Sequence, residues 1–265
     1  MKKLLLCVLV VSSMSHASEK SICGDKDDRS FSNIRPVGRA IGILMGRGFC
    51  TLTMISKTCA ISAGHCYEAL EFVDFNSPAS IDGVPQFSGE QDFYEVDRLS
   101  IKHNYTGIGD DWAVVRIKKN AKTGLYPGEV QGHMEISYDG YKSGDIIRVS
   151  GYGSSEDRSA NLAQQTDIGS ILSTSFDSFF TTNANAAMTH NADTMGGASG
   201  AAIVNEATGK IIGIHTNGGC TSISGSGNAG VIIGQNYALR NAIKSCLDTE
   251  KEDLSAAQTQ EHSQD

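Results

Sequence analysis

Asp193-Thr194-Met195-Gly196-Gly197-Ala198-Ser199-Gly200 places one serine among glycines. A serine hydroxyl attacks a carbonyl only when a base takes its proton and something stabilises the oxyanion that follows. Glycine has no Cβ, so the chain beside Ser199 can turn sharply and point N–H groups inward. The N–H groups of Gly197 and Ser199 are therefore candidates for an oxyanion hole, where one donor is worth roughly 2.7–4 kcal/mol of barrier. Glycine-flanked serines also occur in ordinary loops. The reading stands only if the chain supplies a histidine and a carboxylate elsewhere.

Of the seven histidines, His65 ends a short β-branched run with small residues on either side, in Ala60-Ile61-Ser62-Ala63-Gly64-His65-Cys66. Its ring would have room to face a cleft, although a histidine so placed is often structural. Asp111 directly precedes the apolar run 112–117. A carboxylate at a strand entrance can accept a hydrogen bond from an imidazole and fix its tautomer. The other reading of Asp110 and Asp111 is as turn residues.

The apolar fraction of 40% is enough to build a core, and 29 glycines against 4 prolines favour short strands and tight turns. A formal net charge of −8 leaves no electrostatic footprint for nucleic acid. Lys2 and Lys3, an apolar run over 4–11 and Ser15-His16-Ala17 read as a secretory signal at 1–17, cut after Ala17. The run is too short to span a bilayer, so no membrane anchor is expected. The mature protein is expected outside the cytoplasm, periplasmic or extracellular. Cys7 leaves with the signal. Six cysteines remain (Cys23, Cys50, Cys59, Cys66, Cys220 and Cys246), an even number that points to disulfides with 15 arithmetically allowed pairings. Asp25, Asp27 and Asp28 could together hold a structural calcium, or form a solvated acidic loop, which is the reading favoured here. No other cofactor or metal is expected.

Residues 41–45, 51–55 and 58–62 read as strands, followed by 112–117. A polar, glycine-rich connection over 119–144 separates them from a second set at 145–151, 167–172, 201–204, 210–215 and 231–234. Ala238, Leu239, Ala242, Ile243, Cys246 and Leu247 recur with helical period, and Asn236 suits the N-cap. Residues 248–265 contain a single large aliphatic residue, Leu254, and read as a disordered tail.

The order His65, Asp111, Ser199 and the motifs around them resemble the chymotrypsin-like serine proteases. Ser62-Ala63-Gly64-His65-Cys66, His103-Asn104-Tyr105 with Asp111-Trp112-Ala113-Val114, and Gly197-Ala198-Ser199-Gly200 each match a segment of that family. The resemblance covers roughly residues 21–247. It implies an all-β fold of two antiparallel six-stranded β-barrels with one C-terminal α-helix. The N-terminal barrel would span 21–130, and the C-terminal barrel and helix 131–247. It also implies a Cys50–Cys66 disulfide beside the histidine, and a monomeric endopeptidase acting on proteins or peptides. A metalloprotease would need a His-Glu-x-x-His run, and a lipase or esterase the order Ser, Asp, His; neither is present.

The chain is most similar to the bacterial glutamyl endopeptidases, on Asp193 to Gly200 and on Gly213-Ile214-His215-Thr216-Asn217-Gly218-Gly219. That resemblance implies that His215 and Thr194 contact the carboxylate of a substrate Glu, and that Thr216, Asn217 and Gly218 pair with substrate backbone. Ser21 to Arg29 resembles the mature N-terminus of that branch, with 18–20 as a short pro-segment cut after Lys20. Three features depart from the pattern. Ala198 replaces the Asp with which trypsins bind their new N-terminus. Met195 replaces the usual partner of Cys220. Asp193 sits where trypsins bind Arg or Lys, which makes trypsin-like specificity the alternative. A non-catalytic homologue serving as a binding module is the rival from another class, though such proteins usually lose a triad residue.

Overall fold

The computed structural model describes residues 21–42, 49–220 and 226–261. The signal at 1–17 and the pro-segment at 18–20 lie outside the described residues.

Strands β2 (Val37–Ile41), β3 (Phe49–Met54), β4 (Cys59–Ser62), β5 (Phe72–Asp74), β6 (Phe93–Tyr105) and β7 (Asp111–Ile117) close into an antiparallel barrel in the order β2-β3-β4-β7-β6-β5. A second six-stranded ring follows. It comprises β8 (Ile146–Gly151), β9 (Gln165–Ser173), β10 (Ala187–His190), β11 (Ala202–Asn205), β12 (Lys210–Asn217) and β13 (Asn228–Ile232). Its order is β8-β9-β10-β13-β12-β11, closed by β11 pairing with β8. The short β1 (Ser30–Phe31) pairs antiparallel with the first two residues of β9. Between the barrels the long connection carries only a one-turn helix, α1 (Pro127–Val130).

Several strands are buried on both faces, so their sequences read as continuous apolar runs rather than alternating ones. In β7, Ala113, Val115 and Ile117 point into the first barrel with Leu52, Phe75 and Tyr94. Trp112 and Val114 point outward, into a cluster with Ile214 of β12, Val231 of β13 and Leu239 and Ile243 of the C-terminal helix. That cluster joins the two barrels to the helix. The second barrel has its own interior around Ile147, Ile171, Met188, Ile203 and Ile232.

Two expectations need correction. The strand read at 41–45 is β2, which starts at Val37 and ends at Ile41; Gly38 and Arg39 broke the apolar pattern, yet both are buried. Residues 43–45 lie outside the described residues. The tail is not disordered as far as Glu261: helix α2 runs Tyr237–Glu261. Asn236 caps it, its Oδ1 accepting from Leu239 N at 2.9 Å. The carboxylate of Glu250, within the stretch read as a disordered tail, is buried and accepts from Ser56 Oγ at 2.8 Å and from Thr58 N and Oγ1 at 2.6 Å. Cys59–Cys246 bonds β4 to the same helix, and Arg116 pairs with Asp253 beyond it.

Candidate active site

Asp111 is the first residue of β7, fully buried, and faces Tyr105 across the β6–β7 hairpin. His65 follows β4, the other neighbour of β7, in a short 3-10 helix (Gly64–Ala69). The two meet twice. His65 N donates to Asp111 Oδ1 at 3.0 Å, and His65 Nδ1 lies 2.7 Å from Asp111 Oδ2. With the carboxylate accepting, Nδ1 carries the ring proton and Nε2 is left as the basic nitrogen. Gly64 makes this approach possible: a Cβ there would lie 1.8 Å from Asn104 O. Asp110 takes the turn role instead, accepting from Asn104 Nδ2, Trp112 Nε1 and Asn236 Nδ2 at 2.6–2.9 Å.

Ser199 comes from the 193–201 loop, which is fastened to both barrels. Ser199 O accepts from Thr51 N at 2.8 Å, and Gly200 N donates to His215 O at 2.8 Å. Thr51 Oγ1 donates to Gly197 O at 2.9 Å. Gly197 has φ +105° and Gly200 φ +91°. A Cβ at Gly197 would lie 2.3 Å from Tyr152 O, and one at Gly200 2.1 Å from Thr51 O. Among the described residues, neither Gly197 N nor Ser199 N donates to a protein acceptor. The disulfide Cys50–Cys66 pins the His65 segment to β3, as expected. Cys50, His65 and Cys66 form the one grouping of metal-ligating side chains among the described residues, and its sulfurs are bonded to each other.

His65, Ser199, His215, Thr216, Asn217 and Gly218 line a single cleft of about 320 Å³, with Ser21, Tyr105, Met195 and Gly196. Tyr105 holds its ring 5.5 Å from that of His65. His215 lines the cleft although its side chain is nearly all buried, and behind it His190 Nε2 approaches His215 Nδ1 at 3.2 Å. Burial pushes His190 down to about 4. Burial also holds His215 well below the ordinary imidazole value, with His190 and His65 as further causes. Both rings are therefore neutral at pH 7, so one donates to the other. Thr194 is buried and is not among the residues that line the cleft, and its Oγ1 is unpartnered among the described residues.

Asp193 does not line the cleft. Its Oδ1 accepts from Cys23 N at 2.6 Å and its Oδ2 from Asp28 N at 3.1 Å. The carboxylate that was a candidate for substrate binding instead fastens the segment 21–28. Burial raises its pKa in spite of those two donors. Ser21 O accepts from Thr194 N at 3.2 Å and from Asn228 Nδ2 at 2.7 Å. Cys23 is bonded to Cys220, the partner that Met195 could not supply. Asp27, one of the carboxylates considered for calcium, is engaged by Arg29 Nε and Nη2 at 2.9 and 2.6 Å. Sequence reasoning missed His190, which follows the short run Ala186-Ala187-Met188-Thr189, and the wall formed by Tyr105; Ser21 lines the cleft, where the resemblance of 21–29 to a mature N-terminus had put it.

The Trypsin family profile matches residues 35–242. No curated protein sequence matches the chain. Among solved structures, the chain is similar to a Glu endopeptidase in complex with MPD, at 19% identity and TM-score 0.61, over 85% of this chain and 98% of that one. It is also similar to a thermostable serine protease, AL20, from an extremophilic microorganism (11%, TM-score 0.57, over 79% and 95%). The protease Anisep from Arthrobacter nicotinovorans matches at 13% and TM-score 0.58, over 81% and 96%. At such identities these structures speak for the fold alone. The family match spans most of the chain and its two barrels, and on that ground this protein belongs to the trypsin family and is a serine endopeptidase.

Proposed function

We propose that Ser199 is the nucleophile, His65 the general base and acid, and Asp111 the residue that orients His65, in an endopeptidase that cuts after Glu. The observation that carries this reading is the convergence of Ser199, His65 and His215 on one cleft, with Asp111 hydrogen-bonded to His65 Nδ1. Ser199 Oγ attacks the peptide carbonyl and His65 Nε2 takes its proton. The oxyanion is held by Gly197 N and Ser199 N. His65 then protonates the leaving amine, and a water molecule reverses the sequence on the acyl-enzyme. Asp111, buried beside the imidazolium, stabilises that charge without taking up the proton.

The preference for Glu rests on His215 and Thr194. If His190 donates to His215 Nδ1, then His215 carries its own proton on Nε2 and offers it to a carboxylate in the cleft. The buried Thr194 hydroxyl would be a second donor. Thr216 to Gly218 would pair with the substrate backbone as an added strand. Asp193 gives little support to the Arg or Lys alternative, because both its oxygens already accept backbone N–H groups.

Export through the 1–17 segment fits three disulfides, which persist in oxidising compartments. Cleavage after Lys20 would leave Ser21 as the N-terminal residue, at the wall of the cleft. N-terminal sequencing of the active protein tests that, and a start at Ser18 would overturn it. The specificity is tested with matched peptides that differ only in Glu, Gln, Asp, Arg or Phe before the scissile bond. Glu is expected to be cut fastest. Faster cleavage after Arg would put Asp193 in control of the pocket.

A further inference from the structure

In the loop 195–199 every backbone carbonyl is occupied. Met195 O accepts from Ala198 N at 2.9 Å and Gly196 O from Ser154 N at 2.8 Å. Ala198 O accepts from Ala201 N at 3.0 Å and Ser199 O from Thr51 N at 2.8 Å. All four donors are backbone N–H groups, which almost any sequence would supply. Gly197 O is the exception. It accepts from a side chain, Thr51 Oγ1, at 2.9 Å.

A trans peptide points its C=O and its N–H to opposite sides, and among the described residues there is no cis bond. Tying Gly196 O to Ser154 and Ala198 O to Ala201 therefore turns Gly197 N and Ser199 N the other way. The peptide between those two N–H groups is Gly197–Ala198, so its orientation sets one donor relative to the other. Gly197 has no Cβ to restrict rotation there, and the peptide keeps its place only if something holds it.

Thr51 is placed to hold it. The residue is fully buried in β3 and does not line the cleft. Its hydroxyl accepts from Tyr152 N at 3.0 Å, which directs the hydroxyl proton towards Gly197 O. Gly151 lets the end of β8 come that near, since a Cβ there would lie 2.8 Å from Thr51 Oγ1. Ser62 Oγ, at the end of β4, donates to Thr51 O at 2.7 Å. Branching at Cβ stiffens χ1 of Thr51 and keeps the hydroxyl on line.

We propose that the Thr51 side chain is a positioning residue for the oxyanion hole: its hydroxyl, aimed by Tyr152 N, fixes the Gly197–Ala198 peptide and so the aim of Gly197 N and Ser199 N. The proposal rests on the peptidase reading above and deepens it. Thr51 touches neither the substrate nor the reacting atoms. It acts through the peptide it holds, from the first barrel onto a loop of the second. Preorganised donors cost no rearrangement as charge develops on the oxygen, so the hydroxyl serves the transition state and not the bound substrate.

The test compares Thr51→Val, which keeps the shape and removes the hydroxyl, with Thr51→Ser, which keeps the hydroxyl. The substrate is a peptide with one Glu before the cut, and kcat is counted per site labelled to completion by a fluorophosphonate, so that misfolded molecules drop out. In Thr51→Val kcat is expected to fall about 10²-fold, the loss that follows when a group is misplaced by about 1 Å, with KM little changed. Thr51→Ser should recover most of that rate. A peptide aldehyde, whose adduct with Ser199 puts an oxygen between the two N–H groups, should bind more weakly by the same factor as kcat/KM. Intact peptide, measured in the Ser199→Ala background, should bind equally with and without Thr51→Val.

An unchanged kcat in Thr51→Val, or an equal loss in Thr51→Ser, would overturn the proposal and leave the peptidase reading intact. A loss confined to KM would overturn it too. If Thr51→Val yields no labelled sites, Thr51→Ala carries the same expectations; if neither does, Thr51 holds the whole fold and the proposal fails. Cleavage of no peptide by the wild type would overturn the peptidase reading and the role of Thr51 with it.

Discussion

On the first-barrel side of the cleft, His65 and Asp111 are 46 residues apart and sit at the ends of two neighbouring strands. On the second-barrel side, the segment that brings Ser21 to the wall of the pocket is fastened by residues much further apart: Cys23 to Asp193 across 170 residues and Ser21 to Asn228 across 207. The first side needs one strand pairing and one glycine. The second needs the N-terminal segment, a disulfide to Cys220 and three buried polar side chains, all in place together. Chemistry that must not vary is built from strand ends. Specificity is built from chain segments that another sequence could replace, which fits the many substrate preferences that one scaffold can host.

The largest effect expected lies where the two halves meet. Ser199→Ala should lower kcat by about 10⁶-fold while binding of peptide persists, because residues that act as a unit fail together. Activity near wild type in that variant would break the assignment of the cleft. A smaller effect separates the halves by pH. The folded pKa of His190 is about 4 against an ordinary 6.5. Between those values the unfolded chain binds a proton that the fold refuses. Stability is therefore full above pH 6.5 and is lost as pH falls towards 4, by about 3 kcal/mol at most. Thermal melting at pH 7 and pH 4 should show the loss, and His190→Gln should shrink it. An undiminished loss in that variant would place the acid sensitivity elsewhere, for example among the carboxylates.

Replacing His215 sharpens the comparison in the other direction, since it should alter selection while sparing the first-barrel dyad. His215→Val should reduce the preference for Glu over Gln by about 30-fold, the worth of a hydrogen bond to a charged group of roughly 2 kcal/mol. Cleavage of a peptide ester bearing neither side chain should change little. If both substrates lose activity equally, His215 supports the Ser199 loop through its carbonyl contact with Gly200 and does not read the substrate.

Individual strands and the candidates His65, Asp111 and Ser199 could be picked out because each left a local mark, β-branched runs between turns and small residues beside His65 and Ser199, whereas the closing of those strands into two barrels came from the family resemblance. Other parts left none. β6 is the longest strand, yet Glu95, Asp97, Arg98 and Lys102 interrupt its apolar pattern, and its register to β7 shifts between Asp97 and Lys102. The end of α2 reads as disordered by composition, and only the fold reveals that Glu250 has three donors waiting on the β3–β4 turn. His190 is invisible as a pocket residue until β10 is laid beside β13, which in turn lies beside β12. Polar residues that are buried because of distant partners carry no periodic signal.

Asp193 is the sharpest case, and its variant should give the smallest effect. By position alone it could attract a basic side chain. In the fold it ties down Cys23 and Asp28 and is shut away from the cleft. Asp193→Asn keeps the shape and one acceptor, but turns an NH2 group towards one of those N–H donors. Two opposing terms follow. A hydrogen bond to a charged acceptor is lost, while the burial that raises the pKa of this carboxyl is relieved. The net cost should be about 1 kcal/mol of stability, read as a small fall in melting temperature. Peptide preference should be nearly unchanged. If the variant instead loses measurable cleavage after Arg or Lys that the wild type possessed, the carboxylate reaches the substrate, and the pocket belongs to Asp193 rather than to His215.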